Sequence, residues 1–99
     1  MEEAKKAIND YCLEEFVSKP DFSNLEAVPI GYTELYDENE DTHQLEIKVD
    51  LIHLRIYWIL DGDEVLEKNY LTLSKLTEYI NGVTFSDLCW KVREIFNLD

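Results

Sequence analysis

Two neighbouring segments of the chain alternate apolar and polar residues with a period of two. Residues 44–51 show this alternation almost without interruption, and residues 53–60 repeat it. Such alternation is typical of half-buried antiparallel strands whose apolar side chains face the core. The predicted inner set is Leu45, Ile47, Val49 and Leu51 in the first segment, and Leu54, Ile56, Trp58 and Leu60 in the second.

Two further strands flank this pair. Residues 30–36 are rich in strand-forming residues, and residues 64–70 follow the turn sequence Asp61-Gly62-Asp63. A tight turn at residues 51–53 is predicted to join the two alternating segments. One long bent strand from 44 to 60 would give a similar pattern, so both interpretations stay open.

The register of the last hairpin depends on its turn. A two-residue turn would place Trp58 opposite Val65, whereas a bulge closing on Gly62 would pair Ile56 with Leu66. The second arrangement puts Leu66 on the inner face with Trp58, and we therefore predict it. Register matters because a slip of one residue moves every side chain to the other face of the sheet.

Apolar residues recur every three or four positions in the remaining segments, which predicts helices. The first covers residues 2–17 and ends before Pro20, and the second covers residues 73–81. Thr72 or Ser74 would cap the second helix at its start, and Gly82 would be the C′ residue just beyond its end.

The last helix begins after Thr84, with Asp87 completing a capping box. Its predicted apolar face consists of Phe85, Leu88, Cys89, Val92, Ile95 and Phe96.

The predicted element order is therefore α-β-β-β-β-α-α over one domain spanning residues 1–99. This order is typical of an α+β fold, in which an antiparallel meander of three to four strands packs on the N- and C-terminal helices. The core is expected to depend on Phe16, Ile56, Trp58 and Val92. The opposite sheet face, which carries Tyr57, Ile59 and Val65, is expected to be more open.

Charge is unevenly distributed along the chain. The net charge is −13, with 22 acidic and 9 basic residues. Residues 1–67 hold 18 of the acids and 5 of the bases, so the entire net charge lies there, whereas residues 68–99 are neutral. Phosphate binding depends on Lys and Arg, so direct nucleic-acid binding is disfavoured. The acidic N-terminus and the absence of a long apolar stretch predict a cytoplasmic protein that does not contact membranes.

The densest acidic run, Asp37–Asp41, has two interpretations. It is either a solvated loop that promotes solubility or part of a surface that binds a protein with a basic surface. Aromatic residues among charges often mark an interface, and cross-strand packing is the alternative. The candidate partner-binding residues are Tyr32, Glu34, Tyr36, Asp37, Glu38, Glu40, Asp41 and Glu46.

Catalytic and metal-binding patterns are sparse. Cys12 and Cys89 lack metal-ligand spacing and are expected to be buried reduced thiols, with a disulfide between them as the alternative. His43 with Glu40 and Asp41 could hold a divalent cation, although a solvated loop histidine is the simpler interpretation. The chain carries no recognisable nucleophile or phosphate-binding motif, so we expect neither enzymatic activity nor a cofactor.

Three groups of residues resemble a family of small acidic domains from mobile elements of gut Firmicutes. They are Asp21–Leu25 with Ile30–Thr33, Ile47–Leu51 with Arg55 and Ile56, and Tyr70–Leu76 with Phe85–Leu88. Domains of this family occur alone or within the large polyvalent proteins of phages and conjugative elements. The resemblance covers most of the chain, from about Ile8 to Leu88, and implies a role in element transfer and conflict with host defence, without catalytic residues.

Overall fold

The computed structural model describes all residues from 1 to 99 and has the predicted α+β element order. The elements are α1 (Glu2–Phe16), β1 (Val28–Tyr36), β2 (Thr42–Asp50), β3 (Arg55–Leu60), β4 (Asp63–Asn69), α2 (Leu73–Gly82) and α3 (Phe85–Phe96). None of the helices combines the length and the apolar character that crossing a membrane would require.

The four strands form one antiparallel sheet in the order β1-β2-β3-β4. One face of this sheet and the apolar sides of the three helices share a single buried core. Five of the predicted inner residues are buried strand residues of that core: Leu45, Ile47, Val49, Ile56 and Trp58. The alternating pattern therefore identified the inner face of the two central strands correctly.

The connection between β2 and β3 is a tight turn, as predicted, and a single bent strand is excluded. Leu54 has a positive φ of 57° in this turn. The carboxylate of Asp50 accepts hydrogen bonds from the backbone N–H groups of Ile52 and His53, at 3.0 and 2.8 Å. Asp50 thereby satisfies turn donors that would otherwise be left without protein partners.

The predicted pairing of Ile56 with Leu66 is wrong, although Leu66 does lie beside Trp58. Asp61 and Gly62 form a two-residue turn, with φ values of 52° and 89°, and the register shifts further along the hairpin. Trp58 consequently pairs with Leu66, and Ile56 pairs with Lys68. Val65 is the unpaired residue of a bulge in β4. It packs partly buried against the core and does not belong to the open face.

The helix starts follow local sequence signals. Thr72 accepts a hydrogen bond from the N–H of Lys75, and Thr84 forms the predicted capping box with Asp87. The prediction of Gly82 as the C′ residue is wrong, because Gly82 is the last residue of α2 and the extended Val83 is the C-cap. The two threonine caps fix where α2 and α3 begin.

Gly31 combines a β-bulge with a close approach of another element. The β1–β2 register shifts between Pro29 and Gly31. A Cβ atom at Gly31 would lie 2.4 Å from Cε1 of Phe85, which is far inside van der Waals contact. The missing side chain therefore allows the start of α3 to pack on β1.

Three predictions about burial are wrong. Phe16 is 36% exposed, because it lies in the last turn of α1, where its ring makes edge contacts with Tyr11 and Phe85 but stays open to solvent. Ile95 and Phe96 are exposed at the end of α3. Tyr57 is buried, because neighbouring groups cover it: the Arg55 guanidinium stacks over its ring, and its hydroxyl donates a 3.1 Å hydrogen bond to the carbonyl of Glu26 in the segment before β1.

Candidate functional site

The outer face of β1 carries a row of alternating tyrosine and glutamate side chains. Tyr32, Glu34 and Tyr36 lie two residues apart, and all three are exposed. Glu46 on β2 lies opposite Tyr32 in the sheet register. Because cross-strand partners share a face, these predicted residues form one continuous surface.

Gln44 joins two members of this row. Its Oε1 accepts a hydrogen bond from the hydroxyl of Tyr32, and its Nε2 donates a 3.1 Å hydrogen bond to Oε1 of Glu34. Gln44 was not among the predicted site residues. The alternation of residues 44–51 places Gln44 on the same sheet face as Glu46, which would have indicated it. In the structure, Gln44 lies directly opposite Glu34.

The β1–β2 loop continues the row from Tyr36 and is organised by Asp37. Oδ1 of Asp37 accepts hydrogen bonds from the backbone N–H groups of Asn39 and Asp41, at 2.8 and 3.0 Å. Glu38, Glu40 and Asp41 are exposed. Glu40 has a φ of 66°, a conformation in which Gly, Asn and Asp are the usual residues. The loop is therefore an ordered turn that presents three carboxylates to solvent.

His43 connects this loop to the neighbouring β3–β4 turn. Its Nε2 lies 2.9 Å from Oδ2 of Asp37, and its Nδ1 lies 2.7 Å from Oδ2 of Asp61. Two carboxylates can both accept only if both ring nitrogens donate, so the geometry favours the imidazolium. Hydrogen bonds to Asp37 and Asp61 raise the pKa of His43, and the same contacts lower the pKa of both carboxyl groups.

The other acids of this surface have no basic side chain within 4.0 Å. Among the eight predicted site residues, only Asp37 has such a partner, which is His43. Here we use the term acidic face for Tyr32, Glu34, Tyr36, Glu46 and the loop Asp37–Asp41. Five of its six carboxylates are therefore uncompensated by direct ion pairs.

The arginine of the sheet is engaged elsewhere. Arg55 contacts the carboxylates of Glu64 and Glu67 at 2.9 and 2.8 Å, and its Nε lies 3.5 Å from Asp50. Its guanidinium also stacks over the ring of Tyr57, at 4.2 Å from the centroid. Arg55 thus neutralises acids of β2 and β4, which leaves the acidic face with its charge.

Burial of Asp50 raises its pKa, but hydrogen bonds from the backbone and imidazole of His53 outweigh this effect and lower the pKa overall. Nδ1 of His53 lies 2.9 Å from Oδ2 of Asp50. This network orders the β2–β3 turn and lies apart from the acidic face.

Cys12 and Cys89 are both buried and free, and burial raises the pKa of each thiol. The suggested grouping of His43 with Glu40 and Asp41 does not form, since the imidazole binds Asp37 and Asp61. No group of three or more His, Cys, Asp or Glu side chains is arranged to hold a metal ion.

Comparisons with known proteins add no relative. No protein-family model, curated protein or solved structure matches the chain.

Proposed function

We propose that the protein is a binding domain of a mobile genetic element, without catalytic activity, that acts in the cytoplasm. Its acidic face would bind a protein partner with a basic surface and could occupy the groove in which that partner binds nucleic acid. The mobile-element context rests on the sequence resemblance described above. The binding mode is argued from the charges and exposed aromatic side chains of the acidic face.

The strongest support is the combination of uncompensated charge and exposed tyrosine on one ordered surface. Tyr32 is 58% exposed and Tyr36 is 47% exposed, on either side of Glu34. Clustered like charges raise the local potential and accelerate encounter with a surface of opposite charge. Exposed ion pairs contribute little affinity, so the tyrosines would supply the apolar contact that holds the complex.

The loop is suited to this role because its own hydrogen bonds fix its conformation. The carboxylate of Asp37 and the imidazole of His43 hold the loop from within. Glu38, Glu40 and Asp41 would then meet a partner without a large loss of backbone freedom, which favours binding. Asp37 itself would act as a positioning residue in this scheme.

The proposal is tested with a panel of purified basic nucleic-acid-binding proteins at low and moderate salt. The test variant combines Glu38→Gln, Glu40→Gln and Asp41→Asn. A matched control combines Glu3→Gln, Glu14→Gln and Glu78→Gln, which remove the same charge from exposed positions on α1 and α2. Equilibrium affinities are compared with those of the unmodified protein.

We expect a stoichiometric complex with at least one panel member, weakened by salt and by the loop variant but much less by the helix control. Equal weakening by both variants would mean that net charge alone drives association. If no member forms a stoichiometric complex, the proposal is wrong and the alternative applies, namely an accessory structural domain whose acidity serves solubility.

A further inference from the structure

The outer edge of β1 is already paired at one position. The N–H of Tyr36 donates to the carbonyl of Asp99 at 2.9 Å, and the N–H of Asp99 donates back to the carbonyl of Tyr36 at 2.8 Å. This reciprocal exchange is the hydrogen-bond pattern of an antiparallel strand pair. β1 is the first strand of the sheet, so Asp99 occupies an edge that no other strand covers.

The next two edge-facing residues are Glu34 and Tyr32. In an antiparallel ladder the backbone groups of alternate residues point to the same side, so both residues share the orientation of Tyr36. Gln44, the partner of Glu34, confirms this register. Its N–H and carbonyl contact Asp61 on the far side of β2, at 2.9 and 2.8 Å. Within β1, the Thr33 hydroxyl makes a long 3.4 Å contact with the carbonyl of Glu34. No loop or tail residue forms a backbone hydrogen bond with the edge groups of Tyr32 and Glu34.

The side chains beside this edge define what could pair with it. Glu34 lies between Tyr32 and Tyr36, so a residue added opposite Glu34 would face a carboxylate flanked by aromatic rings. Beyond Tyr32 the edge leads into a groove of about 340 Å³, whose lining includes Phe16, Pro20 and Pro29. The edge therefore combines free backbone groups, negative charge and a neighbouring apolar recess.

We infer that the β1 edge at Tyr32 and Glu34 accepts an extended segment of the partner as an added strand, with Lys or Arg opposite Glu34. This inference rests on the proposed function and specifies its binding mode. Strand addition takes its affinity from main-chain hydrogen bonds and its specificity from alternate side chains. A second copy of this chain is a poor occupant, because antiparallel pairing about Glu34 would oppose two glutamates and two chains of charge −13.

The test uses a fluorescent seven-residue peptide that alternates lysine and valine. A matched peptide carries N-methyl groups on the backbone nitrogens of the lysines, which are the groups that would face β1 opposite Glu34. Its charge is unchanged but it cannot donate those hydrogen bonds. We expect N-methylation to weaken binding about tenfold or more, since each hydrogen bond contributes roughly 1 kcal/mol.

Two variants of the protein separate hydrogen bonding from charge. Glu34→Gln removes only the charge, whereas Glu34→Pro also removes the edge N–H, and proline is tolerated where that group faces outward. We expect Glu34→Pro to bind the unmodified peptide more weakly than Glu34→Gln does. Circular dichroism checks that both variants fold, and the N-methyl comparison needs no variant at all.

The outcomes distinguish this inference from the proposed function. If N-methylation and Glu34→Pro leave peptide binding at the levels of their controls while the loop variant weakens it, strand addition is wrong and the acidic face still binds basic partners. If the loop variant also binds the peptide unchanged and forms the panel complexes unchanged, both proposals are wrong. Sedimentation of the protein alone tests whether a second copy of the chain occupies the edge. A dimer that Glu34→Pro dissociates would assign the edge to a second copy and overturn the inference.

Discussion

Trp58 on β3 donates a hydrogen bond from its indole Nε1 to the backbone carbonyl of Leu88 in α3, at 2.9 Å. Both residues are almost completely buried, with exposed fractions of 1% and 0%. The contact joins the sheet to the last helix at the centre of the core. Trp58 therefore contributes packing and also satisfies its own buried donor.

Replacing Trp58 tests this arrangement. Trp58→Ala should lower the free energy of unfolding by about 3–5 kcal/mol, because it removes a large buried side chain and leaves a cavity. Urea unfolding measures the change. A loss below roughly 1 kcal/mol would place Trp58 on the surface and contradict the register of β3.

Gly31 should tolerate no side chain. Gly31→Ala would force a Cβ atom to within 2.4 Å of the Phe85 ring, and overpacking of this kind costs about 1–3 kcal/mol. Gly82→Ala is the matched control, since nothing lies within 4 Å of its Cβ position and α2 includes it. Thermal unfolding should show a clear decrease for the first variant and no decrease for the second. Equal effects would contradict the close approach of α3 to β1.

These structural features differ in how far the sequence alone predicted them. The capping box of Thr84 and Asp87 was predictable because it depends on residues three positions apart. The alternation in β2 and β3 likewise identified the inner face, because burial on one side imposes a period of two. The Val65 bulge was not predictable, since it depends on how β4 packs against the core.

The predicted site residues lie on one surface for a similar local reason. Tyr32, Glu34 and Tyr36 share a strand face by alternation, and the loop follows them directly. By contrast, the contact of His43 with Asp61 joins residues 18 positions apart, and Asp99 pairs with Tyr36 from the other end of the chain. Such contacts depend on the assembled fold, and no local sequence pattern predicts them.

The hydrogen bonds of His43 with Asp37 and Asp61 predict that stability depends on pH near neutrality. The pKa of His43 is raised by Asp37 and Asp61, so the folded state binds the proton more tightly than the unfolded state. The stabilisation is fully present below the unfolded pKa of about 6.5 and is lost as pH rises through the raised folded pKa. Melting temperature should therefore fall from about pH 6 to 8.

His43→Gln removes the titrating group and should flatten this part of the profile. Asp37 and Asp61 act in the acidic range, because their pKa values are lowered in the folded state. The stability that they contribute is lost as pH falls below about 4, through their folded-state pKa values. His53→Gln serves as a control with the remaining histidine. If His53→Gln removes the fall in melting temperature between about pH 6 and 8 and His43→Gln does not, the hydrogen bonds of His43 are not the cause of that fall.

Salt should stabilise the fold. With 22 carboxylates and 9 basic side chains, self-repulsion opposes the compact state. Salt at about 0.15 M screens charges separated by more than about 8 Å, and acidification from pH 7 towards about 5 begins to protonate the carboxylates. We expect the melting temperature to rise with either change. A melting temperature that decreases steadily from low to moderate salt would mean that specific ion pairs, such as those of Arg55, determine the balance.

The central claim is that the acidic face is a binding surface in which charge accelerates encounter and tyrosine holds the complex. The most direct test measures association and dissociation rates with a basic protein from the panel that forms a stoichiometric complex. The variant Glu38→Gln/Glu40→Gln/Asp41→Asn should lower the association rate with little change in dissociation, and Tyr36→Ala should raise the dissociation rate. Unchanged rates in both variants would contradict the claim and leave the loop as a device for solubility.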